Sequence, residues 1–114
     1  MISFTIEDVP QETIRNARVI RNHYLIACSR TKAEKFCREK DEPFEIDIRV
    51  QYLKPEKTKF VKPLKPPDIH AITIAVLDAL KGVAYSNESQ IVKFSIKRVY
   101  VDDPDKRGLK VTLK

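Results

Sequence analysis

A chain of 114 residues with 42% hydrophobic content can bury one core but not two, so a single domain over residues 1–114 is expected. A net charge of +6 favours an anionic partner, nucleic acid first. No apolar run reaches the length of a spanning helix and no charged-then-apolar signal segment opens the chain, so a membrane partner is disfavoured and a cytoplasmic location is expected.

Ile2, Phe4 and Ile6 alternate with polar residues, the period of a half-buried strand that ends before Pro10. Ala17, Ile20, Tyr24, Ala27 and Cys28 recur at the three-to-four spacing of a helix face, with Arg15, Arg18 and Arg21 interleaved. Thr31-Lys32-Ala33-Glu34 has the form of a capping box, which predicts a break near Ser29 and a restart. Cys28 and Cys37 show neither C-x-x-C spacing nor a nearby histidine pair, and read as reduced apolar residues.

Phe44, Ile46, Ile48, Val50 and Tyr52 alternate with charged and polar residues, a second strand expected beside the first. Residues 54–67 are too rich in lysine and proline for regular structure and read as an extended basic loop, carrying Lys54, Lys57, Lys59, Lys62 and Lys65. Residues 69–81 form a helix apolar almost all round, with Gly82 placed as its C-terminal cap. Residues 91–101 follow as a strand with Val92, Phe94, Ile96 and Tyr100 on one face and Lys93, Ser95 and Lys97 on the other. Turn residues 102–108 and a last strand over 109–113 suggest a closing hairpin, and turn chemistry accounts for Asp102, Asp103 and Asp105. The order predicts an α+β domain with a small mixed or antiparallel sheet and helices on one face.

The polar groups at the edges of the apolar helix carry the functional signal. Asp68 precedes it, His70 lies in its first turn, and Asn87 and Glu88 follow its end. Each has a plain reading: helix cap for Asp68, surface residue for His70, solvated loop acid for Glu88. Together they offer hard oxygen ligands and one imidazole, a candidate metal site.

The same stretch resembles the RusA-type Holliday-junction resolvases, whose signature is similar to D-x-D-N-x-x-K on a helix running into L-D-A-L, then D-D-x-Q-[IV]. Asp68 matches the first acid, Leu77-Asp78-Ala79-Leu80 the helix end, and Glu88-Ser89-Gln90-Ile91 the second acidic loop. The opening ISFTIEDVP and the closing residues 91–114 also resemble the family, whereas residues 11–42 match poorly. His70, Ala71 and Ile74 stand where the pattern has Asp, Asn and Lys.

The resemblance implies a RusA-like fold, a two-fold homodimer, and divalent-metal-dependent hydrolysis of phosphodiesters in branched DNA, with Asp68, His70 and Glu88 as catalytic and metal-binding residues. Oxygen ligands favour magnesium, and an imidazole among them moves preference towards manganese. Phosphate contacts are expected from Arg15 and Arg18, from the loop lysines, and from Lys93, Lys97 and Arg98. The alternative is a catalytically inactive nucleic-acid-binding protein on the same fold. The retained acids favour the enzyme, and the three departures together favour the binding protein.

Overall fold

Apolar alternation in strands and three-to-four spacing in helices sort each element into a core face and a solvent face. A computed structural model, describing residues 1–7, 10–33, 35–57, 63–64 and 66–114, shows what that sorting builds. In chain order the elements are β1 (Ile2–Ile6), a short α1 (Pro10–Thr13), α2 (Ala17–Arg30), β2 (Phe44–Leu53), α3 (Ile69–Leu80), β3 (Ile91–Val101) and β4 (Gly108–Leu113). The strands form one mixed sheet in the order β1-β4-β2-β3, with α2 and α3 packed on one face, an α+β fold.

Ile46, Ile48 and Val50 of β2 lie under Ile20, Tyr24 and Cys28 of α2 and Ile72, Val76 and Leu80 of α3, all buried, while Asp47 and Arg49 face solvent. The all-round apolar character of α3 exceeds what one sheet can cover. Ile69 and Ile74 stay 50% and 46% exposed.

Three expectations about pairing and termination are corrected. β1 does not pair with β2; β4 lies between them, antiparallel to both. Nor do β3 and β4 form a hairpin, because residues 102–107 carry the chain to the other side of β2. One-face burial does not set this order, since edge strand β1 buries Phe4 and Ile6 in the same alternation as Leu109, Val111 and Leu113 of central β4. No helix restarts between Arg30 and β2 among the described residues, and Glu34 lies outside them. Thr31 instead closes α2, its hydroxyl donating to the carbonyls of Ala27 and Cys28 at 3.0 and 3.1 Å.

Val92 also departs from its expected face. The β2–β3 register runs Phe44↔Ile91 and then Glu45↔Lys93, so Val92 is the extra residue of a bulge and is 67% exposed.

The two glycines separate strain from crowding. Gly82, at φ 86, ends α3 with open space around its α-carbon, whereas Gly108, at φ 145, meets the Ile6 carbonyl oxygen where a side chain would begin. Gly82→Ala should cost about 1 kcal/mol from left-handed backbone alone. Gly108→Ala should cost about 2–4 kcal/mol, adding a collision between β4 and β1. Urea unfolding of the two variants checks the ranking.

Candidate metal centre and nucleic-acid interface

Asp68 caps the N-terminus of α3, its Oδ1 accepting from the Ala71 backbone N–H at 2.8 Å. Oδ2 makes no hydrogen bond among the described residues, and both Asp68 and His70 are exposed. A cap satisfies an orphan helix donor without exhausting a carboxylate. The helix-cap reading and the ligand reading of Asp68 are therefore compatible.

Two side chains from the sheet hold the loop that delivers Asp68. Tyr52 Oη donates to the Pro67 carbonyl at 3.0 Å, and the Arg98 guanidinium donates to the carbonyls of Pro67 and Pro63 at 2.7 and 2.8 Å. Burial pushes the Tyr52 phenol above its ordinary pKa, opposed by Arg98 and reinforced by the charge of Asp68. Asp68 thus sits over the end of β2.

Glu88 opens a 3-10 turn, Glu88–Gln90, just before β3. Gln90, only 3% exposed, fixes that turn. Its Oε1 accepts from the backbone N–H groups of Ser86 and Asn87 at 2.8 and 2.9 Å, and its Nε2 donates to the carbonyls of Glu39 and Glu42 at 2.7 and 3.0 Å. The full capacity of the amide is used. The Glu88 carboxylate accepts from Lys81 Nζ at 3.1 Å, and its own backbone N–H, then Lys81, hold it below the usual carboxylate range.

The twelve residues of α3 span about 18 Å. Asp68 and His70 lie at one end of that length, and Glu88, tied to Lys81, lies at the other. One chain does not bring the three expected ligands together, and among the described residues no group of three His, Cys, Asp or Glu could hold a metal. The sheet register agrees, since Phe44↔Ile91 lies beside Glu88 and Tyr52↔Tyr100 beside Asp68.

The candidate phosphate-binding residues divide between regions. Arg15 and Arg18 are exposed at the start of α2, and one turn later Arg21 Nε donates to the Ala79 carbonyl at 3.0 Å. Lys54 and Lys57 are exposed beyond β2 at the Asp68 end, while Lys59, Lys62 and Lys65 lie outside the described residues. Lys93 and Lys97 project from the solvent face of β3. Arg98 is on the opposite face, with its terminal nitrogens on loop carbonyls, so here it acts as a loop anchor. The anchoring of Arg98 and Tyr52 had no signal in the sequence. The role of Gln90 did, because it stands in the quoted motif Glu88-Ser89-Gln90-Ile91.

Comparison with protein families matches residues 12–114 to the family described as Endodeoxyribonuclease RusA. The chain belongs to this family. The match includes the segment after residue 11 that motif reading left aside, and begins beyond β1. Neither the curated proteins nor the solved structures give a match. Resolution of Holliday junctions by a divalent-metal-dependent endonuclease is the general activity of the family.

Gln90→Leu should cost about 2–3 kcal/mol, because backbone groups in two loops lose their partner at once, measurable by urea unfolding. Lys81→Met should raise the Glu88 titration only part of the way to its ordinary value, since the backbone N–H remains. In the wild type the pair's contribution is present above the ordinary glutamate pKa and is lost as pH falls through the depressed one. Carboxyl carbon NMR reads the shift.

Proposed function

We propose that the protein is a homodimeric, divalent-metal-dependent endonuclease of branched DNA whose metal site is completed across a two-fold axis. The observation that carries this reading is the separation of Asp68 and His70 from Glu88 by the length of α3, along a helix face that exposes Ile74. His70, Ile74, Asp78 and Lys81 are all exposed on that stripe. A two-fold axis at Ile74 sets the two helices antiparallel, places Ile74 on its own copy, and puts His70 opposite the second copy's Asp78. Such an interface is self-complementary, as two-fold symmetry requires.

The same operation carries Glu88 of the second copy towards Asp68 and His70. Lys81 travels with it, 3.1 Å from the carboxylate. That lysine would supply a positive charge beside the acids where Ile74 replaces the lysine of the RusA pattern. Asp68 Oδ2, Glu88 and an imidazole nitrogen of His70 form a mixed oxygen and nitrogen donor set, suited to manganese as well as magnesium. A bound ion would lower the pKa of a water and neutralise charge developing on the phosphate. Asp68 and Glu88 would hold it, and the Lys54 and Lys57 end of the loop would bring the phosphate backbone in.

A specific observation also favours the non-catalytic alternative. Ala71 and Ile74, in place of Asn and Lys, remove two polar groups from the first turns of α3. The discriminating assay is incubation of the pure protein with a labelled four-way junction in magnesium and, separately, in manganese. Cleavage is expected in both, greater in manganese, and Asp68→Asn should abolish it while junction binding persists. Absence of wild-type cleavage with retained binding would establish the binding protein instead. Ile74→Glu, which sets a carboxylate against its own copy on the axis, should dissociate the dimer in light scattering and abolish cutting with it; a wild type that is monomeric at all concentrations would rule out the shared site.

A further inference from the structure

The face of the sheet turned away from α2 and α3 carries charge in rows set by strand register. In one row Glu45 of β2 lies between Lys93 of β3 and Lys114, with which it exchanges backbone hydrogen bonds, so an acid separates two cations. In the next, Asp47 lies between Thr112 and Ser95. The row beyond differs in kind. Arg49 is paired with Lys110 on one side and Lys97 on the other, with Thr5 completing the row on β1.

Like charges directly opposite one another on neighbouring strands oppose folding. Here two such pairs share Arg49. All three side chains are exposed, and among the described residues none joins an ion pair or a side-chain hydrogen bond. Asp47, one row away, does not neutralise them within 4.0 Å. A merely solvated face would gain stability from the alternation seen in the Glu45 row. The concentration of cations therefore needs an anionic ligand to offset its cost.

We propose that Lys110, Arg49 and Lys97 form a duplex-DNA-binding row, separate from the metal site, which holds a further helical segment of the substrate by its phosphates. Adjacent strands lie about 4.8 Å apart, so the row spans about 10 Å. Three successive phosphates of one DNA strand span about 7 Å along the axis, two intervals of 3.4 Å, and the long lysine and arginine side chains can converge across the difference. Because α3 lies on the other side of the sheet, a duplex on this row does not occupy the Asp68 end of the helix. In a branched substrate the two surfaces would serve different arms. The assignment rests on the reading of the chain as a protein of branched DNA.

The test is a triple variant, Arg49→Gln, Lys97→Gln and Lys110→Gln, compared with wild type by fluorescence anisotropy on linear duplex and four-way junction across a salt series. The plot of log affinity against log salt should become shallower by about 2.7 for three lost phosphate contacts. The thermal midpoint should stay the same or rise, since repulsion is removed. An unchanged slope overturns the row, as does weaker binding accompanied by a lower midpoint, which would make the effect one of folding. Wild-type binding to anionic vesicles in preference to duplex, lost in the same variant, overturns it in favour of a membrane surface. A wild type that cleaves junctions while the variant keeps its full slope sinks the row alone. Row-dependent binding without cleavage sinks the nuclease alone.

Discussion

Parallel pairing of β2 with β3 is the constraint on which the rest of the structure depends. Two consecutive parallel strands cannot be joined by a tight turn, so the chain must recross the sheet, and α3 is that crossing. The residues before the helix are thereby fixed at one end of the sheet and those after it at the other. Asp68 and His70 inherit the first position and Glu88 the second. Separation of the acids is a consequence of topology, independent of any side-chain choice.

The local chemistry then holds each group in place. Asp68 is stabilised at the positive end of a helix dipole while retaining a second oxygen for other work. Glu88 is kept ionised by a backbone N–H and by Lys81, on a turn that a buried glutamine pins to a neighbouring loop. The ends of α3 are therefore held in place, and apolar surface remains uncovered at Ile69, where the helix starts, and at Ile74 midway along it. An exposed isoleucine midway between Asp68 and Glu88 is the arrangement that the proposed two-fold dimer would resolve.

Period-two and three-to-four patterns made most elements legible in the sequence, with β2 and β3 found nearly to the residue, because burial on one face leaves a direct imprint. Strand order left no such imprint. The apolar residues of β4 read equally well as a hairpin partner of β3, because one-face alternation does not record which strand lies beside which. Thr31 was ambiguous for a similar reason, since a hydroxyl can cap a following helix or close a preceding one. The candidate ligands read in sequence as one cluster, whereas in a single chain Asp68 and His70 lie at one end of α3 and Glu88 at the other, because residues flanking a helix are separated by its length. Lys93, Lys97 and Arg98 looked like one basic group, yet the alternation of a strand sends Arg98 to the opposite face.

Subunit mixing tests the shared site most directly. Asp68→Asn and Glu88→Gln proteins, each inactive on a four-way junction, would be combined, allowed to exchange subunits, and assayed for cleavage with manganese. If the acids meet across the two-fold axis, each mixed dimer contains one intact site, and random exchange restores roughly a quarter of the wild-type sites. Recovery of activity on that scale is the predicted result. If all ligands came from one chain, mixing would restore nothing, and continued inactivity of fully exchanged dimers would contradict the account.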